Sequence, residues 1–157
     1  MAIHVLVQEK DFDLDEAYNF LREMGGPDVG AIVSFVGLVR DRNAMAGDGS
    51  QVSTLTLEHY PGMTEKSLEL IATKAREKWE LQNITIIHRI GTLNVNNQIV
   101  LVITTSKHRQ EAFDSCNFII DYLKTDAPFW KKELSENNEG WVETRVSDKK
   151  QKKRWKS

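Results

Sequence analysis

The 157-residue chain has one cysteine, three prolines and no long hydrophobic run. Each shortage excludes something. With Cys116 alone there is no internal disulfide and no Cys-cluster metal site, a usage that fits a reducing cytosol. No apolar stretch nears the roughly 18 residues needed to cross a bilayer, and Met1-Ala2-Ile3-His4 has no basic region followed by a long apolar one. A cytoplasmic chain, neither exported nor membrane-inserted, is expected. Also missing are Gly-x-Ser-x-Gly, His-Glu-x-x-His, a phosphate-cradling Gly-Lys-Ser loop and a glycine-rich dinucleotide fingerprint, which disfavours the familiar hydrolase, NTPase and dehydrogenase chemistries.

What is present belongs to an ordinary globular protein: 40% hydrophobic and 28% charged residues with a mean hydropathy of −0.45, in a length suited to one domain over residues 1–157. The net charge of −2 conceals an asymmetry. Residues 145–156 hold seven Lys/Arg against one acid, Asp148, while residues 1–144 hold 14 bases and 22 acids, a net −8. The basic tail, about residues 147–157, reads first as a solvated, flexible end, and second as a polyanion-binding arm.

Residues 3–7 read as a strand. Asp13 can cap a helix, with Glu16 as its reciprocal partner, that stops at Gly25-Gly26-Pro27. Residues 30–39 are a nearly continuous apolar run suited to a strand covered on both faces, and residues 40–51 have loop composition. A strand at 55–60 precedes a helix opened by Pro61, with Met63, Leu68, Ile71, Ala75 and Trp79 at helical spacing. Strands at 84–90 and 99–105 flank a turn at 94–97. Ser106 is placed to cap a third helix reaching about Lys124, striped by Ala112, Cys116, Ile119 and Leu123. A last strand near 140–146 completes an α+β, or mixed α/β, domain.

The chemistry-bearing residues are cationic. Arg40 and Arg42 stand where a strand breaks into a loop, and Lys107-His108-Arg109 occupy the first turn of the third helix. Cations there oppose the helix dipole unless an anion binds, so an anion site and a solvent-facing trio offset by Glu111 are equally open readings. Beyond the same helix, Lys124 and Lys131 stand among Tyr122, Phe129 and Trp130. A lysine desolvated by aromatic surface can serve as nucleophile or proton donor; the plainer reading is that the stems merely cover the rings. His59 and His88 lie in strands with no third ligand at metal spacing and read as structural. His108 and Lys124 are 16 positions apart, about 24 Å along a helix, so one ligand can meet both clusters only in a site built from two copies of the chain.

Five segments carry a resemblance: residues 30–40, Leu57-Glu58-His59-Tyr60-Pro61-Gly62-Met63, His88-Arg89-Ile90-Gly91, Ser106-Lys107-His108-Arg109, and residues 121–131. In these the chain is similar to the large, catalytic subunits of molybdopterin synthase. The resemblance implies an α/β hammerhead fold and a homodimer within a heterotetramer, each large subunit bound to a small ubiquitin-like sulfur carrier. It further implies sulfur transfer from the carrier's C-terminal Gly-Gly thiocarboxylate to cyclic pyranopterin monophosphate, forming the dithiolene of molybdopterin, with no metal and no cofactor. Lys124 and Lys131 match the family's catalytic lysines. Arg40, His108 and Arg109 match its phosphate-holding set, the His-Arg pair arriving from the neighbouring subunit, and Phe35 and Arg145 match pocket residues. The loop at 40–51 is longer than the family pattern, which leaves contacts near Arg42 and Asn43 open. The chain ends Trp155-Lys156-Ser157, so the carrier is expected to be a separate chain.

Two rival functions predict differently. A binding module gripping RNA with the Lys-rich tail and Trp155 would lose affinity steeply with salt and ignore Lys124, although no nucleic acid is expected as partner. An unrelated phosphate-binding enzyme would turn over without a protein sulfur donor.

Overall fold

The computed structural model describes residues 2–41, 52–135, 139–142 and 155, and in it two four-stranded sheets divide the strands. The first has the order β1-β4-β6-β2, from β1 (Ala2–Gln8), β4 (Asn83–Arg89), β6 (Gln98–Ser106) and β2 (Ala31–Leu38). Here β1 and β4 run parallel, while β6 is antiparallel to both β4 and β2. The second has the order β5-β3-β7-β8, all antiparallel, from β5 (Gly91–Asn94), β3 (Val52–His59), β7 (Phe129–Ser135) and β8 (Glu139–Val142). Among the described residues, three helices complete this α+β fold: α1 (Leu14–Gly25), α2 (Met63–Lys78) and α3 (Arg109–Asp126).

The alternation of strand side chains assigns the helices to opposite faces of the first sheet. Ile84, Ile86 and Val102 point one way and are sealed under α2 and α3 by Leu68, Ile71, Cys116 and Ile119. Ile87, Leu101 and Ile103 point the other way, toward Leu21 and Phe12 around α1. Central isoleucines such as Ile84 and Ile86 are completely buried, and each such side chain contributes about 1.5–3 kcal/mol through removal from water. The expected run at 30–39 is indeed covered on both faces, by Val33 and Phe35 on the α3 side and Ile32 and Val36 on the α1 side. It is nevertheless an edge strand, and its residues remain partly exposed.

Local signals explain the helix ends, with three corrections. Asp13 accepts from the Glu16 backbone N–H at 3.0 Å to start α1, and Gly26, at φ +74°, ends it. Pro61 lies outside α2; the cap is Gly62, at φ +84°, whose N–H donates to Glu65 Oε2 at 3.0 Å. Met63, expected on the buried stripe of α2, is 56% exposed because it is the first helical residue and lies ahead of the packed turns. Ser106 does not cap α3: it remains in β6 opposite Ala31, its hydroxyl donates to the Glu80 carbonyl at 2.9 Å, and His108 takes the cap position. The expected stripe of Ala112, Cys116, Ile119 and Leu123 is buried as a unit.

β5 and β7 were not anticipated. The expected last strand is present as β8, with residues 143–146 outside the described part. The loop expected at 40–51, with Arg42 and Asn43, likewise lies outside it after Asp41, as does the basic tail apart from Trp155.

Candidate active site

Strand register fixes which candidate residues can meet. Ala31 pairs with Ser106 and Leu38 with Gln98, so Arg40, just past β2, lies at the opposite end of the sheet from Lys107-His108-Arg109, which leave the end of β6. α3 then returns along the sheet for 18 residues, carrying Lys124 back to the Arg40 end. At about 1.5 Å per residue this separates His108 from Lys124 by about 24 Å. Each chain thus holds two separate candidate half-sites.

The first half-site gathers around the last turn of α3. Phe35 projects from β2 into the α3-side core, its ring beside Gly37, where an added Cβ would stand 3.5 Å from Phe35 Cε1. Arg40 and Lys124 are exposed, and Lys131 is half-buried on β7, opposite Leu57 of β3 and Val142 of β8. Lys131 was expected just past a helix; it is instead held inside a sheet. Ala127 and Pro128 make the turn joining the two lysine-bearing elements, closed by a Phe129 N–H···O=C Ala127 bond of 2.9 Å. His88 stacks on Phe129 with ring centroids 3.8 Å apart and planes inclined by 19°. The Phe129 ring is therefore covered by an imidazole. Burial pushes His88 down to about 4, the Lys131 charge adds to that effect, and the bond between Nδ1 and the Arg89 carbonyl at 2.8 Å opposes it, so the ring is neutral at pH 7. This agrees with a structural role for His88. His59 is likewise engaged within the protein, 3.7 Å from Glu65.

The second half-site is an open surface cleft of about 360 Å³ lined by Gly30, Lys107, His108, Arg109 and Gln110. Lys107, His108 and Arg109 are all exposed; the first two precede α3 and Arg109 opens it, so the trio stands at the helix mouth rather than around its first turn. Glu111, expected to offset them, places its Oε2 3.1 Å from Ser106 Oγ instead. Gly30 allows this arrangement: its N–H donates to the Ser106 carbonyl at 3.0 Å, and a Cβ there would lie 2.1 Å from the Lys107 carbonyl oxygen.

Two further features went unseen in the sequence. Thr64, fully buried near the start of α2, donates its hydroxyl hydrogen bond to the Pro128 carbonyl at 3.0 Å. A hydroxyl in the first turn after Pro61-Gly62 was its only sequence signal. Trp155 packs edge-to-face on Trp79 and Phe118 and donates its indole N–H to Asp121 at 2.6 Å. A ring so engaged is not presented to stack on a nucleic-acid base. Arg145 lies outside the described residues.

Cationic clusters at both ends of one helix, on a two-sheet α+β scaffold, define a protein class suited to binding small anionic ligands. Comparison with known proteins narrows that class. The family model for the MoaE protein matches residues 7–126. A molybdopterin synthase catalytic subunit from Ralstonia nicotianae is 51% identical over 151 residues, covering 96% of this chain and 83% of the relative. The solved molybdopterin biosynthesis MoaE protein of Burkholderia ambifaria superposes with a TM-score of 0.82 at 45% identity, covering 100% of this chain and 99% of that one. A Helicobacter pylori structure, a complex of subunits 1 and 2 of molybdopterin-converting factor, shares the fold at a TM-score of 0.69 and 21% identity, with 91% of each chain covered. The chain belongs to the MoaE family, that of the molybdopterin synthase catalytic subunits.

Proposed function

We propose that this chain is the sulfur-transferring subunit of molybdopterin synthase, acting on cyclic pyranopterin monophosphate as a homodimer within a heterotetramer. The observation that carries the reading is the length of α3, which puts the phosphate-type cations and the lysines of one chain about 24 Å apart. A two-fold pairing lets His108 and Arg109 of one protomer join Arg40, Lys124 and Lys131 of its partner around one substrate. Guanidinium and imidazolium groups suit the cyclic phosphate. Phe35 forms part of the pocket wall, and Arg145, outside the described residues, is assigned to the pocket by the family resemblance alone.

The sulfur comes from outside the chain. The sole thiol, Cys116, is 3% exposed on the buried face of α3, and burial pushes it up to about 12, so it supplies no thiolate near neutral pH. A separate small subunit with a C-terminal Gly-Gly thiocarboxylate meets that need. A two-subunit assembly is what the Helicobacter pylori protein forms. The thiocarboxylate sulfur bonds to a pterin side-chain carbon and displaces an oxygen substituent, which one lysine protonates; water then attacks the resulting thioester carbonyl, the other lysine ammonium stabilises the oxyanion, and the acyl C–S bond breaks, leaving the sulfur on the pterin and a carboxylate on the carrier.

The test is reconstitution with thiocarboxylated carrier and pyranopterin substrate. Lys124→Ala abolishes turnover while leaving the fold intact, since an exposed lysine contributes little to the core. Turnover at the wild-type rate in that variant removes the catalytic assignment.

A further inference from the structure

The segment joining the two lysines is short, and its conformation decides where both ammonium groups stand. Lys124 is in the last turn of α3 and Lys131 is the third residue of β7; Ala127-Pro128 is the bend between them. A bend of this kind is stabilised only weakly by its own Phe129–Ala127 hydrogen bond, and Pro128 has no N–H to add another. External ties must hold it. The structure supplies one from each side. His88 at the end of β4 stacks on Phe129, and Thr64 of α2 reaches the Pro128 carbonyl.

The Thr64 tie has unusual completeness. The side chain is 0% exposed, and its hydroxyl is used in both directions: Oγ1 accepts from the Tyr60 backbone N–H at 2.9 Å while donating to Pro128 at 3.0 Å. Tyr60 N–H lies just ahead of α2, where helix geometry offers no partner of its own. One hydroxyl thus connects the start of α2 to the bend between the lysines, 64 positions away in sequence. A hydrophobic isostere in its place leaves a part-buried donor, the Tyr60 N–H, and a part-buried acceptor, the Pro128 carbonyl, without this partner, and the bend is released to seek water instead.

We infer that Thr64 is a positioning residue for sulfur transfer, holding the Pro128 bend so that Lys124 and Lys131 face the same reacting group. This rests on the catalytic reading of the two lysines, and the experiment separates the two ideas.

Thr64→Val, Thr64→Ser, Lys124→Ala and Lys131→Ala are each reconstituted with thiocarboxylated small subunit. Single-turnover sulfur transfer, carrier affinity and KM for the pyranopterin are then measured. Thr64→Val lowers the single-turnover rate about 100-fold, the usual cost of displacing a reacting group by about 1 Å. Carrier affinity and KM stay within about twofold, because the Pro128 bend carries none of Arg40, His108 and Arg109, the residues assigned to the phosphate. Thr64→Ser, which keeps the hydroxyl, restores the rate to within about threefold of wild type, and a purely space-filling role would not give that rescue. Should Thr64→Val fail to fold, the serine variant still decides: a folded Thr64→Ser protein as slow as the lysine variants overturns the proposal. A Thr64→Val rate equal to wild type, with the lysine variants inactive, overturns it while leaving the lysine reading intact. Active lysine variants overturn both.

Discussion

Replacing Gly30 with alanine puts a methyl group where the chain has no room. The new Cβ would stand 2.1 Å from the Lys107 carbonyl oxygen and 3.1 Å from its carbon, whereas ordinary carbon–oxygen contact needs about 3.2 Å or more, a separation set by the same hard-sphere limits that shape the backbone. The clashing atom is backbone, so no side-chain rotation relieves it. β2 and the residues leaving β6 must part by about 1 Å, against the Gly30–Ser106 hydrogen bond that draws them together. Overpacking of this kind costs about 1–3 kcal/mol. Alanine recovers about 0.4–1 kcal/mol by stiffening the unfolded chain, leaving a net loss of about 1–2 kcal/mol and a fall in Tm of about 2–8 °C for a domain of this size. The larger effect is functional. Lys107, His108 and Arg109 lean on the same backbone, and a shift of about 1 Å in the anion cradle weakens kcat/KM for the pyranopterin about 100-fold, chiefly through KM. Differential scanning calorimetry and steady-state kinetics on the reconstituted synthase measure the two effects. A Gly30→Ala protein with wild-type Tm and wild-type KM would refute the reasoning, because it would mean that the close approach of Gly30 to Lys107 is not needed.

Mixing separately inactive His108→Ala and Lys124→Ala chains tests the shared site: random 1:1 dimers regain about a quarter of wild-type activity if each site draws on both protomers, and none if each chain is self-sufficient. Acid stability reports on His88. Its folded value of about 4 lies below the 6.5 of the unfolded chain, so its contribution is complete above pH 6.5 and is lost as pH falls toward 4, up to about 3 kcal/mol in all. Urea midpoints at pH 7 and pH 5 should differ more for wild type than for His88→Gln; equal differences argue against a neutral buried ring. Trp155→Ala removes the packing on Trp79 and Phe118 and the indole donor to Asp121, lowering stability by about 2–3 kcal/mol in denaturant titration; an unchanged midpoint would show that the ring is not anchored there.

Much of this arrangement was legible in the residue pattern, and the rest failed for identifiable reasons. The α3 stripe was readable because Ala112, Cys116, Ile119 and Leu123 obey the helical period over about three turns, and the distance between the half-sites followed from helix rise alone. β7 was hidden because Phe129-Trp130-Lys131-Lys132-Glu133 has too much charge for a buried strand; its partner β3 defines it, through pairs such as Leu57 with Lys131. β5 has only four residues, too few to show a period. Ser106 resembled a cap, but pairing with Ala31 kept it in the strand and passed the role to His108. The Thr64–Pro128 and Trp155–Asp121 bonds join residues 64 and 34 positions apart, beyond the reach of any local signal.

The burial of Cys116 on the inner face of α3 has a practical corollary. A maleimide applied to the assembled complex meets no accessible sulfhydryl on this subunit, so on the proposed reading the modification it causes reports on the bound sulfur donor. The native protein is therefore a silent background for following loading and discharge of its partner, with no need to engineer a cysteine-free version.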